Sequence, residues 1–172
     1  AFAAEISRLP APVGSAPGFL VNRALTPYMA EALVLLDEGI PKERIDLRAE
    51  EFGMPMGPIE LTDQVGLDIA LDVATSLRER LGENTLPPAP DWLTKMVEEK
   101  RLGRKTGRGL YDYDDEGKPK KIAPEALPDN SKDDPDMIDR LILPMLNAVV
   151  ACIDEGVITD EEIVDGAMIF GT

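Results

Sequence analysis

Three groups of residues have the types and spacing that could do chemistry. The first is Asn22-Arg23, which ends the stretch Pro17-Gly18-Phe19-Leu20-Val21-Asn22-Arg23. A side-chain amide both donates and accepts, which suits an oxygen that passes between alcohol and carbonyl. Asn22 is a candidate for touching a substrate oxygen, and Arg23 a candidate for binding substrate. The competing reading is structural: Asn22 bridges locally, and Arg23 pairs with a carboxylate elsewhere. The second group is Met54 and Met56 in the turn Gly53-Met54-Pro55-Met56-Gly57-Pro58. Unbranched thioethers follow irregular apolar shapes, so both are candidates for lining a variable substrate chain, with core filling as the alternative. The third is the basic run Gly103-Arg104-Lys105-Thr106-Gly107-Arg108-Gly109. Its amides and cations could hold a phosphate, although it lacks the strand–loop–helix context of a nucleotide loop. A structural turn is the alternative. Asp63 and Asp68 read as helix caps and ion-pair partners.

Much chemistry is excluded. The chain has no histidine, so His-based triads and His-ligated metals are ruled out. Its one cysteine, Cys152, excludes thiolate clusters and internal disulfides, which suits a reducing compartment and makes the cytoplasm the expected location. Cys152 reads as a small core residue. No Gly-x-Gly-x-x-Gly follows a strand and no phosphate-loop motif occurs, so no cofactor site and no metal site are expected within the chain. The net charge of −15 repels phosphate backbones and argues against a nucleic-acid partner. No apolar run reaches the length of a membrane span. The chain opens at Ala1 rather than Met and reads as part of something longer.

The elements that must position these groups are helical. From residue 19 to Glu38, Leu25, Tyr28, Met29, Ala32, Leu33 and Leu36 recur at three- and four-residue spacing, and Gly39 stops the run. Short helices follow: 41–52 with Ile45, Ala49 and Phe52 inward, Ile59 to Val65, one capped by Asp68 through Leu81, and one capped by Asp91 through Arg101. Ala70, Leu71, Ala74, Leu77 and Leu81 form the expected buried stripe of the third. Leu110 to Tyr113 could form a short extended segment. The first helix has a second copy. Arg23, Pro27, Asp37, Glu38 and Gly39 match Arg140, Pro144, Asp154, Glu155 and Gly156 at one constant offset. After a one-residue insertion, Ile45, Phe52 and Gly53 match Ile163, Phe170 and Gly171. A chance match of arginine, in-helix proline and an Asp-Glu-Gly stop is improbable, so the helical unit is duplicated. Asp134 with Pro135 would cap the second long helix, and Thr159 with Glu162 would box the last one. Asp139 stands where the first copy has Asn22.

Three motifs carry a resemblance. Ser15-Ala16-Pro17-Gly18-Phe19-Leu20-Val21-Asn22-Arg23, Gly53-Met54-Pro55-Met56-Gly57-Pro58-Ile59-Glu60-Leu61-x-Asp63-x-x-Gly66-Leu67-Asp68 and Gly103 through Tyr113, in this order, resemble the C-terminal helical domain of 3-hydroxyacyl-CoA dehydrogenases. The second copy is similar to the extra C-terminal repeat of multifunctional fatty-acid oxidation proteins. The resemblance implies an all-α fold like the C-terminal domain of 3-hydroxyacyl-CoA and 6-phosphogluconate dehydrogenases. It implies a linker from a Rossmann domain over residues 1–18, a first repeat over 19–118, a loop over 119–134 and a truncated second repeat over 135–172. It further implies a homodimer acting on an acyl-CoA substrate in fatty-acid β-oxidation, with NAD bound by a domain outside this chain. Asn22 would contact the substrate oxygen, and the chain alone would be inactive. The competing class is a non-catalytic helical oligomerisation module, and a third reading is the helical domain of another hydroxyacid dehydrogenase.

Overall fold

A computed structural model describes residues 13–123, 126–127, 136–158, 164 and 166–168. Its elements are α1 (Val21–Asp37), α2 (Lys42–Phe52), α3 (Pro58–Val65), α4 (Leu67–Leu81), α5 (Asp91–Glu98), a 3-10 turn (Arg104–Thr106) and α6 (Met137–Asp154). The fold is all-α: among the described residues extended pairing is confined to single bridges such as Gly103 with Arg108 and Tyr113 with Pro119. No helix among them is long and apolar enough to cross a membrane.

The duplicated helices α1 and α6 lie against each other and form the most extensive helix contact of the fold. Arg23 at the start of α1 meets Glu155 at the end of α6 through two hydrogen bonds of 2.5 Å. Arg140 near the start of α6 meets Glu38 at the end of α1 at 2.8 and 2.9 Å, and also reaches Glu31. Each arginine of the repeat therefore binds the glutamate of the other copy. Start-to-end pairing in both directions requires the helices to be antiparallel and related by a local two-fold. Pro27 and Pro144 sit inside their helices and face one cavity of about 300 Å³ near that axis.

The two helix ends repeat bond for bond. The Gly39 and Gly156 amides donate to Leu36 and Ile153, and the Ile40 and Val157 amides to Leu35 and Cys152. Both glycines have positive φ, at 91° and 68°, as this C-terminal cap requires. Leu35 and Cys152, equivalent in the repeat, are both fully buried. Cys152 is thus the small core residue expected, and burial raises its thiol pKa. One apolar cluster joins the copies: Ala24, Tyr28 and Ala32 of α1 pack in it with Ile45 and Ala49 of α2 and Leu141 and Met145 of α6. Val13 and Ala16 of the connecting segment pack in a second cluster around Cys152 and Ile158, and the Gly14 amide donates to Val157.

The copies differ in what covers them. Thr26, Met29 and Leu33 of α1 face Ala70, Leu71 and Ala74 of α4 and Leu93 of α5 across a void of only about 30 Å³. The equivalent positions on α6 are Leu143, Leu146 and Val150, and all three are exposed, with Ile153 beside them.

Several local expectations are corrected. Asp68 does not cap α4, because the helix starts one residue earlier at Leu67; Asp68 sits in the first turn and pairs with Lys105 at 2.5 Å. Asp91 is likewise the first residue of α5 rather than its cap, and α5 ends at Glu98. Both carboxylates still lie near a helix N-terminus, where negative charge is favoured. Phe52, expected inward, is 57% exposed at the last residue of α2. Of the expected α4 stripe only Leu77 is buried, and the rest is half-buried. Asp134, Pro135, Thr159, Glu162, Ile163, Phe170 and Gly171 lie outside the described residues.

Two outcomes follow from this packing. Arg23 holds the Glu155 carboxyl below its ordinary value. A lowered folded-state pKa contributes stability that is present above the ordinary carboxylate range and lost as pH falls through it. Glu155→Gln should therefore lower the melting temperature at pH 7, and the difference from the unsubstituted chain should shrink below about pH 4 in thermal melts. Second, Leu146→Glu and Val150→Glu should each change stability by less than about 0.5 kcal/mol, whereas Met29→Glu, at the equivalent of Leu146, should cost about 3 kcal/mol or more by burying an unpaired charge. Urea titrations of the three variants check this.

Candidate functional site

Asn22 is the second residue of α1, and its side chain is exposed while its carbonyl accepts the Thr26 hydroxyl at 2.6 Å. The turn before it sets its position. Gly18 and Phe19 both have positive φ, 74° and 51°, and reverse the chain before the helix begins. Glycine adopts this conformation freely, and at Gly18 a Cβ would also stand 3.1 Å from a Leu77 methyl. Phe19 adopts it at a cost of about 1–2 kcal/mol. The reversal drops Leu20 into the core and turns Phe19 outward. Beside them lies a hollow of about 260 Å³ lined by Val13, Gly18, Phe19, Leu20, Val21, Asn22 and Ala167. Among the described residues of that lining, Asn22 supplies the one polar side chain.

The other residues singled out in the sequence do not share this hollow. Arg23 is buried, and its guanidinium is held on Glu155, which raises its pKa further. The structural alternative for Arg23, a carboxylate partner elsewhere in the fold, is the arrangement present. Met54 and Met56 are half-buried, Met54 against the main core, and neither lines the hollow. Phe19 was missed by sequence reading. An aromatic next to Leu20 reads as core until the backbone angle is known; the flanking Pro17-Gly18 was the available signal.

The second and third candidate segments close onto each other through two buried carboxylates. Asp63 is no helix cap. It accepts the Leu110 and Tyr111 amides at 2.8 Å and the Tyr113 hydroxyl at 3.1 Å. Asp46 of α2 accepts the Ile59 and Glu60 amides and the Tyr111 hydroxyl, so it caps α3 from another helix. Gly57 makes room for it, since a Cβ there would come within 2.3 Å of Asp46. At Gly103 and Gly109 a Cβ would come within 2.2 Å of Asp63. These glycines are explained by that close approach.

For residues 103–109 the structure favours the turn over the phosphate loop. The Gly103, Thr106, Gly107 and Gly109 amides donate to carbonyls within 103–111, Lys105 pairs with Asp68, and Arg108 lies 3.4 Å from Asp112. Four of the seven amides of this segment are thus engaged inside it, and the structural alternative, a closed turn, is the arrangement present.

Burial pushes the Asp46 carboxyl up to about 6, against the pull of Lys121, the Ile59 amide and the Tyr111 hydroxyl. Lys121 bridges Asp46, Glu50 and Glu60, so the cluster is a charge-compensated latch. Burial raises Asp63 as well and holds the Tyr111 and Tyr113 phenols far above their usual range. Carbon-detected NMR should place the Asp46 midpoint near pH 6. Tyr111→Phe, which removes a donor to the charged form, should move it higher; a downward move would contradict this account.

Comparison with known proteins places the chain in a family. Residues 18–113 match the family model for the 3-hydroxyacyl-CoA dehydrogenase C-terminal domain. The chain is 38% identical over 99% of its length to the fatty acid oxidation complex subunit alpha of Psychrobacter arcticus, and 37% identical over 95% to that of Vibrio cholerae. It covers 26% and 24% of those proteins, about a quarter of the length of these curated relatives. Among solved structures, the dehydrogenase part of multifunctional enzyme 1 from C. elegans superposes with a TM-score of 0.66 at 33% identity, over 98% of this chain and 40% of that one. The (S)-3-hydroxybutyryl-CoA dehydrogenase of Ralstonia eutropha gives 0.59 at 37% identity, over 66% and 40%. The chain therefore belongs to the 3-hydroxyacyl-CoA dehydrogenase family and carries that family's C-terminal domain over residues 18–113.

Proposed function

We propose that this chain is the substrate-side helical part of an NAD-dependent 3-hydroxyacyl-CoA dehydrogenase of fatty-acid β-oxidation. In the intact enzyme, 3-hydroxyacyl-CoA is oxidised to 3-ketoacyl-CoA. The observation that carries the reading is Asn22, an exposed amide at the edge of an apolar hollow in a domain of this family. Oxidation removes the proton of the 3-hydroxyl and a hydride from the carbon that bears it. Negative charge builds on the oxygen before the carbonyl forms. An Asn22 N–H aimed at that oxygen favours the charged state more than the neutral alcohol, and the apolar surroundings strengthen the bond. The chain has no histidine to take the proton. The family resemblance puts the base and the NAD site in a domain outside these 172 residues, and homodimer formation is part of the same proposal.

In the intact enzyme, Asn22→Ala should lower kcat/KM by about ten- to a thousandfold, with an unchanged melting temperature because the side chain is exposed. The purified 172-residue chain should produce no NADH from NAD and a 3-hydroxyacyl-CoA; robust production would overturn the proposal. The exposed Leu143, Leu146, Val150 and Ile153 on α6 favour a second reading, a non-catalytic interaction module. That reading requires Asn22→Ala to leave turnover unchanged at equal oligomer content.

A further inference from the structure

Phe19 combines three features that packing within the described residues does not account for. It is a bulky residue in a left-handed conformation, with φ 51°. The residue is 55% exposed although its neighbour Leu20 is fully buried. It lines the same hollow as Asn22, which otherwise offers aliphatic surface from Val13, Leu20, Val21 and Ala167. At such a backbone position glycine or asparagine costs less, and on an outward face a polar residue costs less. Strained residues of this kind occur where the surroundings hold a side chain for binding.

We propose that Phe19 is a specificity-determining residue, whose ring is the apolar wall for the first carbons of the acyl chain when the 3-oxygen lies at Asn22. The inference rests on the proposed function and adds the chain-length dependence of the site. Asn22 is three residues further along the chain and lines the same hollow, so the ring meets carbons close to the reacting one. It does not meet the far end of a long chain. The benefit of the ring therefore grows over the first few methylenes and then levels off.

The test is calorimetric binding of 3-ketoacyl-CoA with four, eight and twelve carbons to the intact enzyme and to its Phe19→Ala and Phe19→Leu variants. Phe19→Ala should weaken the eight- and twelve-carbon ligands about tenfold and the four-carbon ligand by less than about threefold. Phe19→Leu should restore most of the loss, and melting temperatures should not move. An equal loss at every length, or no loss, overturns the inference. Asn22→Ala is read separately, in kcat. A flat chain-length profile with a low kcat for Asn22→Ala sinks the role of Phe19 alone. A graded profile with an unchanged kcat keeps Phe19 and sinks the role of Asn22. No binding by the unsubstituted enzyme sinks both.

Discussion

The reciprocal pairing of Arg23 with Glu155 and Arg140 with Glu38 is the constraint on which the arrangement depends. Apolar stripes bring α1 and α6 together but tolerate sliding, because one leucine replaces another along a helix at little cost. Two bidentate pairs at opposite ends of the contact do not tolerate it. A slip that lengthens one pair lengthens the other, and it leaves the Arg23 guanidinium buried without its partner. Such pairs add modestly to net stability after desolvation, and their larger effect is on register. In this fold the register places the Gly14 amide on the end of α6 and Cys152 beneath the Phe19 carbonyl. The turn that presents Asn22 is therefore braced by the second copy of the helix.

Asp46 and Asp63 impose a second constraint. Each is a buried carboxylate whose partners are mostly backbone amides and phenols, and each joins segments distant in sequence. Glycines at 57, 103 and 109 are the sterically necessary complement, since any side chain there would occupy carboxylate or backbone volume. Lys121 and Lys42 complete the cluster, Lys42 by lying 4.5 Å from the centre of the Tyr111 ring and donating to the Leu110 carbonyl. The basic glycine-rich run, the strongest apparent phosphate signal in the chain, is thereby spent on internal closure.

The surface proposed to be functional is small by comparison. Asn22 and Phe19 stand at the edge of α1 with little beyond them among the described residues, while nearly everything behind them is packed or paired. A rigid element with an exposed polar tip and an exposed ring suits a domain that supplies one face of a cleft and receives the rest of the chemistry from another domain.

The sequence by itself determined the helices, the duplication, the glycine stops and the candidacy of Asn22. Each of these is written in local spacing: three- and four-residue apolar recurrence, a repeated Arg, Pro and Asp-Glu-Gly, a glycine at each helix end. It also left Arg23 open between substrate and carboxylate, and it could not tell a phosphate loop from a clamp at 103–109. Only the tertiary structure decided these. The partner of Arg23 lies 132 positions away, and the carboxylate that accounts for Gly103 and Gly109 lies on another helix. Phe19 belongs with them. Its residue type reads as core, and only a backbone angle set by the packing of Leu20 and Gly18 turns it toward the hollow. Interactions within one helical turn are legible along the chain, whereas those between elements depend on a register that two reciprocal ion pairs hold in place.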